Sequence, residues 1–198
     1  MALLMAALGV AVIIKGIYYD RQNYELNIQA KKESEKVREA INTLSVDTIE
    51  DNIAQYTVPE KTVEGIAYIG IIRIDTLNLE LPVASVLTDS NLQKAPCRYY
   101  GDTYDDLIIA AHNYDAHFGR IKNLTEGDSV IFTDVNGRAF KYKVEELEEL
   151  GPFQSKEMIN NNEGLTLFTC TPGGKARVVV RCRYCEDRIP DPDADKMG

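Results

Sequence analysis

The chain has 198 residues, which is room for one domain of ordinary size plus appendages. Hydrophobic residues make up 44% and charged residues 27%, so a globular core is expected. The net charge of -9, without a basic patch, argues against a nucleic-acid partner, because phosphate binding needs clustered Lys and Arg.

The sequence starts with an almost wholly apolar run, Ala2 to Ile14, which extends to Tyr19. A helix of about 18 residues is about 27 Å long, close to the ~30 Å core of a bilayer. We therefore interpret residues 1–19 as a membrane anchor. A cleaved signal peptide is the alternative, but neither a basic segment before the run nor a cleavage site is evident. Lys15 and Arg21 follow the run, so a strict count of positive charges would place the following chain inside the cell.

A helix is predicted from Asp20 to about Leu44. This stretch contains no Pro or Gly, and apolar side chains such as Ile28, Val37 and Ile41 recur at steps of three and four residues. We interpret residues 20–60 as a helical stalk or as a helix that packs on the following domain.

From about Glu64 the pattern changes to short apolar or alternating runs that predict β-strands. The predicted strands cover residues 66–74, 77–83, 107–111, 129–133, 139–144, 165–169 and 177–183. The pair Asn136-Gly137 between two of them indicates a hairpin. Many short strands with few helices predict a mainly β fold, a closed or nearly closed barrel over residues 61–186. The acidic, Pro-containing segment 187–198 is predicted to be a disordered tail.

The four cysteines are expected to be mostly unpaired. In an extended segment, Cys182 and Cys185 would have Cα atoms about 10 Å apart, whereas a disulfide needs less than roughly 7 Å. Only one C-x-x-C pair is present and both histidines lie far from it, so no zinc site is expected. Asp102, Asp105 and Asp106 are interpreted as a solvated loop rather than a calcium site. The sequence thus predicts neither a metal nor a cofactor.

Three residues that could carry chemistry lie at the ends of predicted strands. His112 directly follows the run 107–111, and Cys170 directly follows the run 165–169. Arg177 begins the next strand after a turn-rich link, which would bring it back beside Cys170 in a hairpin. A Cys attacks as its thiolate, an imidazole can act as general base and acid, and an Arg can stabilise an oxyanion. Together they would form an acyl-transfer site.

Each of these residues also has a structural interpretation. A single Cys at a strand end is more often a small buried apolar residue, and a single His is more often a satisfied polar one. His117 competes with His112, but it lies further into the loop and is interpreted as a surface or lid residue.

The residues around these positions resemble the motifs of the sortase family. Residues 166–170, TLFTC, are similar to the TLxTC signature that contains the catalytic cysteine of sortases. Residues 110–113, AAHN, resemble the family's strand-then-His segment, and residues 177–180, RVVV, resemble the strand that opens with its catalytic Arg. Residues 118–124 and 126–128 resemble the family's F-x-x-L and K-x-G-D region. The likeness covers roughly residues 66–183.

This resemblance implies the fold, the activity and the roles of the residues. The fold would be the eight-stranded sortase β-barrel. Cys170 would be the nucleophile, His112 the general acid and base, Arg177 the oxyanion or substrate stabiliser, and Thr169 would position substrate. Sortases cleave an LPxTG-like C-terminal sorting signal of a surface protein through a thioester. They then transfer the acyl group to an amine of a peptidoglycan precursor or a pilin lysine. The implied location is the cell membrane, with an extracytoplasmic catalytic domain.

Two points stay open within this resemblance. Arg181 shares side-chain phase with Arg177 but lies about 13 Å further along the strand, so both cannot serve one thiol, and the resemblance selects Arg177. The long N-terminal helix is class B-like, yet little room exists before residue 165 for the long helix typical of class B. No N-terminal lid segment is evident, so the subclass is either class B-like or class D-like.

Two other functions fit the same residues. A hydrolytic cysteine protease could use the same Cys and His, although the usual sequence signature around its nucleophile is missing. A non-catalytic barrel that binds surface proteins would leave Cys170 without a chemical role.

Overall fold

The computed structural model describes residues 2–42, 58–103, 106–159 and 164–185. The predicted tail 187–198 lies outside the described residues. The described part contains three α-helices, two short 3-10 helices at residues 75–77 and 121–123, and nine strands. The α-helices are α1 (Ala2–Asn42), α2 (Asp89–Leu92) and α3 (Ser155–Ile159). The strands are β1 (Lys61–Val63), β2 (Ile66–Ile74), β3 (Leu79–Ala84), β4 (Cys97–Tyr100), β5 (Leu107–Ala110), β6 (Ser129–Asp134), β7 (Ala139–Leu150), β8 (Gly164–Cys170) and β9 (Arg177–Tyr184).

Eight of these strands form a closed barrel, which confirms the mainly β fold predicted from the sequence pattern and the strand number implied by the resemblance. The strand order is β1-β2-β3-β4-β5-β8-β9-β7-β6, and β6 also pairs with β2. This last pairing runs antiparallel from Gly70↔Asp134 to Arg73↔Ile131 and closes the sheet on itself. The three-residue strand β1 is a short addition that pairs with the first residues of β2. Closure removes the exposed sheet edges that an open sheet would present.

The barrel interior holds the main hydrophobic core. Side chains alternate across each strand, so one phase faces inward and the other outward. The inward residues of the strands at the candidate site include Ile109, Leu167 and Val180, all fully buried. A second apolar cluster covers part of the outer face, where Phe168 and Val179 pack with Met158 of α3. Both faces of β8 are therefore buried, which explains its continuous apolar sequence.

Several strand boundaries differ from the predicted ones. The start of the predicted strand 77–83 is instead a 3-10 turn, which ends at Asn78 in the left-handed conformation. The short strands β1 and β4 were not predicted. Strand β7 continues to Leu150, six residues beyond its predicted end, with a register shift between Val144 and Glu146. Cross-strand pairing of its carboxylates with arginines of β9, such as Glu148 with Arg181, stabilises this charged extension.

The second half of α1 packs on the barrel. Ala30, Ser34 and Val37 are buried, and the Ser34 hydroxyl donates a hydrogen bond to the Glu80 carbonyl of β3 at 2.7 Å. Arg38 pairs with the Glu80 carboxylate. Among the described residues, no helix combines the length and apolar character needed to cross a membrane. The anchor at residues 1–19 stays a prediction.

Barrel closure depends on close backbone approach at Gly70, which leads to a stability prediction. A Cβ at this position would lie 2.1 Å from the Thr133 carbonyl oxygen and 2.7 Å from the Phe132 ring. We expect Gly70→Ala to lower the free energy of unfolding by about 3 kcal/mol, because the β2–β6 pair must separate. Urea denaturation of the full chain measures this loss.

The matched control is Gly137→Ala in the β6–β7 hairpin. Gly137 has a φ of +83°, but a Cβ there would meet no atom within 4 Å. We expect a loss of only about 1 kcal/mol, from the left-handed backbone alone. Equal losses in the two variants would contradict the role of close packing at the closure.

Candidate active site

Strand register brings the three predicted catalytic residues to one end of the barrel. β5 and β8 are parallel neighbours, paired up to Ala110↔Phe168. His112 follows β5 by two residues, as Cys170 follows Phe168 by two. β9 is antiparallel to β8 and begins at Arg177, which is directly opposite Cys170. Since neighbouring strands are about 4.8 Å apart, the imidazole, thiol and guanidinium originate from adjacent positions of three adjacent strands.

Cys170 and Arg177 share the outer face of the sheet. Phe168 and Val179 point outward into the external apolar cluster. Cys170 and Arg177 are each two residues from one of these, so they have the same orientation. Cys170 is exposed, whereas the six residues before it in β8 are buried. A thiol that is solvent-accessible at the end of a buried strand can meet a substrate from outside the barrel.

Thr169 joins the two strands that present His112 and Cys170. Its side chain is 3% exposed, and its hydroxyl donates a hydrogen bond to the Ala111 carbonyl at 2.8 Å. The Ala111 amide in turn donates to the Phe168 carbonyl at 3.1 Å. These bonds extend the β5–β8 contact to the residues just before the imidazole and the thiol. The predicted role of Thr169 in positioning substrate stays a prediction.

His112 is half-buried and lies against an aromatic ring. Its ring centroid is 4.8 Å from that of Tyr114, with the planes tilted by 36°. Burial lowers the pKa of His112 below its usual 6.5, and the negative charge of Asp89 opposes this shift. A lowered pKa favours the neutral imidazole, which is the form that can accept a proton from a thiol.

His117 is buried, so its interpretation as a surface residue is wrong, and its interpretation as a lid residue stays a prediction. It is 2% exposed, and its ring centroid lies 5.7 Å from that of Tyr114, the ring that also contacts His112. Burial lowers its pKa to about 4, assisted by the charge of His112 and opposed by a hydrogen bond to the Lys94 backbone. Its Nδ1 is the buried side-chain nitrogen without a hydrogen-bond partner among the described residues. The polar loop sequence gave no sign that this part of the loop folds inward.

The two arginines of the outer face of β9 have different surroundings. Arg181 pairs with the Glu148 carboxylate at 2.7 Å. It also donates to the Met158 and Glu157 carbonyls of α3, at 3.1 Å and 2.6 Å. Arg177 instead donates from Nη1 to the Pro152 carbonyl at 2.7 Å. Arg181 thus holds α3, and Arg177 is the arginine whose backbone pairs with Cys170.

A groove on the outer face lies beside the candidate site. It has a volume of about 460 Å³ and is lined by Ser85, Val86, Leu87, Arg98, Tyr99, Tyr100 and Gly101. The Tyr99 ring contacts Phe168 edge to face, with centroids 5.3 Å apart. The Tyr99 side of the groove therefore lies near Phe168, which is two residues from Cys170 on the same face of β8. The sequence did not indicate it, since β4 was not predicted and Tyr99 and Tyr100 carried no motif.

The described cysteines form no disulfide, and the described part of the acidic loop forms no metal-binding cluster. All four cysteines are free thiols, as predicted for most of them, and Cys97 and Cys182 are buried. Burial raises the pKa of Cys97 to about 11, and burial also raises the pKa of Cys182. Asp106 accepts a hydrogen bond from the Gly164 amide at 3.2 Å. Within the described residues, no three His, Cys, Asp or Glu side chains converge to hold a metal ion. Asp105 lies outside the described residues.

The fold and the site together define a barrel with a surface thiol for acyl transfer, and sequence comparison identifies its family. The profile of the sortase domain matches residues 72–185, more than half of the chain. The chain therefore belongs to the sortase family, and it is a cysteine transpeptidase by class. Comparison with curated protein sequences gives no match.

Solved structures of sortases have the same fold. Sortase C from Clostridium perfringens SM101 superposes with a TM-score of 0.54 at 21% identity, covering 84% of this chain and 91% of that one. The sortase D5 transpeptidase of Clostridium perfringens gives 0.53 at 22% identity, covering 60% and 79%. Sortase A of Listeria monocytogenes gives 0.55 at 19% identity, covering 60% and 88%. Similarity to three classes at such low identity does not assign a subclass.

The buried His117 predicts a pH-dependent stability. Its pKa is about 4 in the folded state and about 6.5 in the unfolded chain, so the unfolded state binds more protons between these values. The contribution is complete above pH 6.5 and is lost as the pH falls towards 4, by about 3 kcal/mol in total. We expect His117→Gln, which cannot titrate, to show a flatter decline in unfolding free energy over this range.

Urea denaturation of both proteins at several pH values between 7 and 4 measures the difference. His112 is present in both proteins, and because the two imidazole charges interact, the difference between the profiles includes any change that the substitution makes in the titration of His112. Parallel pH profiles would show that His117 is protonated in the folded state at its ordinary pKa.

Proposed function

We propose that this protein cleaves an LPxTG-like C-terminal sorting signal of surface proteins and transfers the acyl fragment to an amine. The acceptor would be a peptidoglycan precursor or a pilin lysine. The observation that carries the proposal is the strand register, in which Cys170 ends β8 between the strand before His112 and the strand that begins with Arg177. Membership of the sortase family supports the same reaction class.

The first half of the proposed reaction forms a thioester. The Cys170 sulfur attacks the carbonyl carbon of the scissile bond between Thr and Gly, and its proton passes to neutral His112. Arg177 stabilises the negative charge that develops on the carbonyl oxygen. The resulting imidazolium then donates its proton to the leaving amine of the Gly, and the C–N bond breaks. The product is an acyl group bound to Cys170.

The second half resolves the thioester. An acceptor amine enters the position that the leaving peptide has vacated and attacks the thioester carbonyl. His112 accepts a proton from this amine and returns it to the departing thiolate, which restores the starting thiol. The lowered pKa of His112 supports this role, because the neutral imidazole is ready to accept a proton in both halves.

We also propose that residues 1–19 anchor the chain in the cell membrane with an extracytoplasmic barrel. The apolar run from Ala2 to Ile14 supports an anchor. Membrane fractionation and protease accessibility of intact cells test the location. A barrel protected from added protease in intact cells would exclude it.

The catalytic assignments predict the loss of peptide cleavage in specific variants. We expect Cys170→Ala to form no thioester, and His112→Ala to lose about 10²- to 10⁴-fold in rate. Arg177→Ala should lose about 10²- to 10³-fold, as for removal of an oxyanion donor. The assay is cleavage of a sorting-signal peptide library by the full chain, with the acyl-enzyme detected by mass spectrometry.

Arg181→Ala is the matched control for Arg177→Ala, since both arginines lie on the outer face of β9. We expect it to lower thermal stability, because Glu148 and two α3 carbonyls lose their partner. Its rate should fall less than that of Arg177→Ala. Unchanged cleavage by Cys170→Ala would refute the proposal, because another group would then be the nucleophile. Binding of the peptides without any cleavage by the wild type would favour a barrel that only binds surface proteins.

The products distinguish transfer from hydrolysis. With a glycine-based amine in the reaction, a transpeptidase gives a ligated peptide, because the amine competes with water for the thioester. We expect the ligated fraction to rise with amine concentration. Hydrolysed peptide alone, at every amine concentration, would mean that the protein is a cysteine protease.

A further inference from the structure

The turn after β7 is closed by one side chain. The Gly151 amide donates a hydrogen bond to the Gln154 side-chain carbonyl at 2.7 Å. The backbone N–H of Gln154 donates in return to the Gly151 carbonyl at 3.2 Å. Gln154 thus bonds both polar groups of the Gly151 backbone and fixes the conformation of residues 151–154.

This turn holds the Arg177 side chain. Arg177 begins β9 and pairs with Leu150, the last residue of β7, on the side away from Cys170. Its Nη1 donates to the Pro152 carbonyl at 2.7 Å and lies 3.5 Å from the Gly151 carbonyl. Among the described residues, Nε and Nη2 of Arg177 make no hydrogen bond. One nitrogen is therefore anchored, and the other two can donate to a substrate.

The chemistry of this anchor differs from that of Arg181. The charge of Arg181 is paired with the Glu148 carboxylate, whereas the described carboxylates form no ion pair with Arg177. Backbone carbonyls can orient a guanidinium without neutralising it. An arginine on the surface would otherwise sample many rotamers, and ordering it during the reaction would cost entropy.

We propose that Gln154 is a positioning residue for acyl transfer. By closing the turn, it places the Pro152 carbonyl where it anchors Nη1 of Arg177, so that Nε and Nη2 are oriented towards the acyl oxygen. This inference rests on the proposed function, since it assigns Arg177 to the oxyanion. It adds a residue that touches neither the thiol nor the imidazole.

The kinetic test compares two substitutions of the same residue. Gln154→Ala removes the acceptor for the Gly151 amide, so we expect the kcat of acylation to fall at least fivefold, with a KM within twofold of the wild-type value. Gln154→Glu keeps an acceptor oxygen at the same distance from the backbone but adds a negative charge to the turn that holds Arg177, so its rate should exceed that of Gln154→Ala without having to equal that of wild type. Gln29→Ala, at an exposed position on α1, controls for loss of a glutamine elsewhere.

A second measurement follows the Arg177 side chain without substrate. In the full chain labelled with ¹⁵N-arginine, the Nε–Hε signal of Arg177 is assigned by its loss in Arg177→Lys. We expect a high heteronuclear NOE for this signal in wild type and Gln154→Glu, and a lower one in Gln154→Ala. The Arg181 signal should be the same in all three proteins.

Each result has one meaning for the proposal. It is overturned if Gln154→Ala acylates as fast as wild type, or faster, which would mean that the turn holds Arg177 away from the thiol. An unchanged Arg177 NOE in Gln154→Ala would also overturn it. Failure of the proposed function is a different outcome, because Cys170→Ala would then keep its activity, while the NOE measurement needs no reaction.

Discussion

The candidate site depends on the parallel pairing of β5 with β8. Parallel neighbours end at the same edge of a sheet, so the residues that follow β5 and the residue that ends β8 come together. Had these strands been antiparallel, His112 and Cys170 would lie at opposite ends of the barrel. The hydrogen bond from Thr169 to the Ala111 carbonyl continues the contact past the end of β5. The tight β8–β9 connection then returns Arg177 to the same level.

A second constraint is that the two arginines on the outer face of β9 have different partners. Both arginines point to the outer face, four residues apart, yet one meets a carboxylate and a helix while the other meets a turn. Arg181 is surrounded by partners that neutralise its charge and fix α3 against the sheet. Arg177 is held by backbone carbonyls, and no carboxylate among the described residues forms an ion pair with it. The length of β7 makes this possible, since its last residue Leu150 reaches the level of Arg177.

His112 is only half-buried, and its lowered pKa favours the neutral imidazole, which can accept a proton. Tyr114 contacts both imidazoles, with its ring centroid 4.8 Å from that of His112 and 5.7 Å from that of His117. Apolar and aromatic packing disfavours the charged form of both rings, so each pKa is lowered. The buried His117 supports this loop at neutral pH and weakens it in acid. Burial therefore lowers the pKa of both imidazoles, and for His117 it also makes the stability of the protein depend on pH.

The sequence alone determined the fold class, the strands with strong patterns and the three candidate catalytic residues. β2, β5, β6, β8 and β9 were predicted because apolar or β-branched runs of useful length have a clear signal. β1 has three residues, and β4, which is as short as β5, has the sequence CRYY with partly exposed side chains, so neither strand has an apolar run. The tertiary structure alone decided that His117 is buried, that Arg181 holds α3, and that the turn at Gln154 holds Arg177. Those facts depend on contacts between residues far apart in the chain, and a linear pattern does not encode which distant backbone carbonyl a side chain will meet.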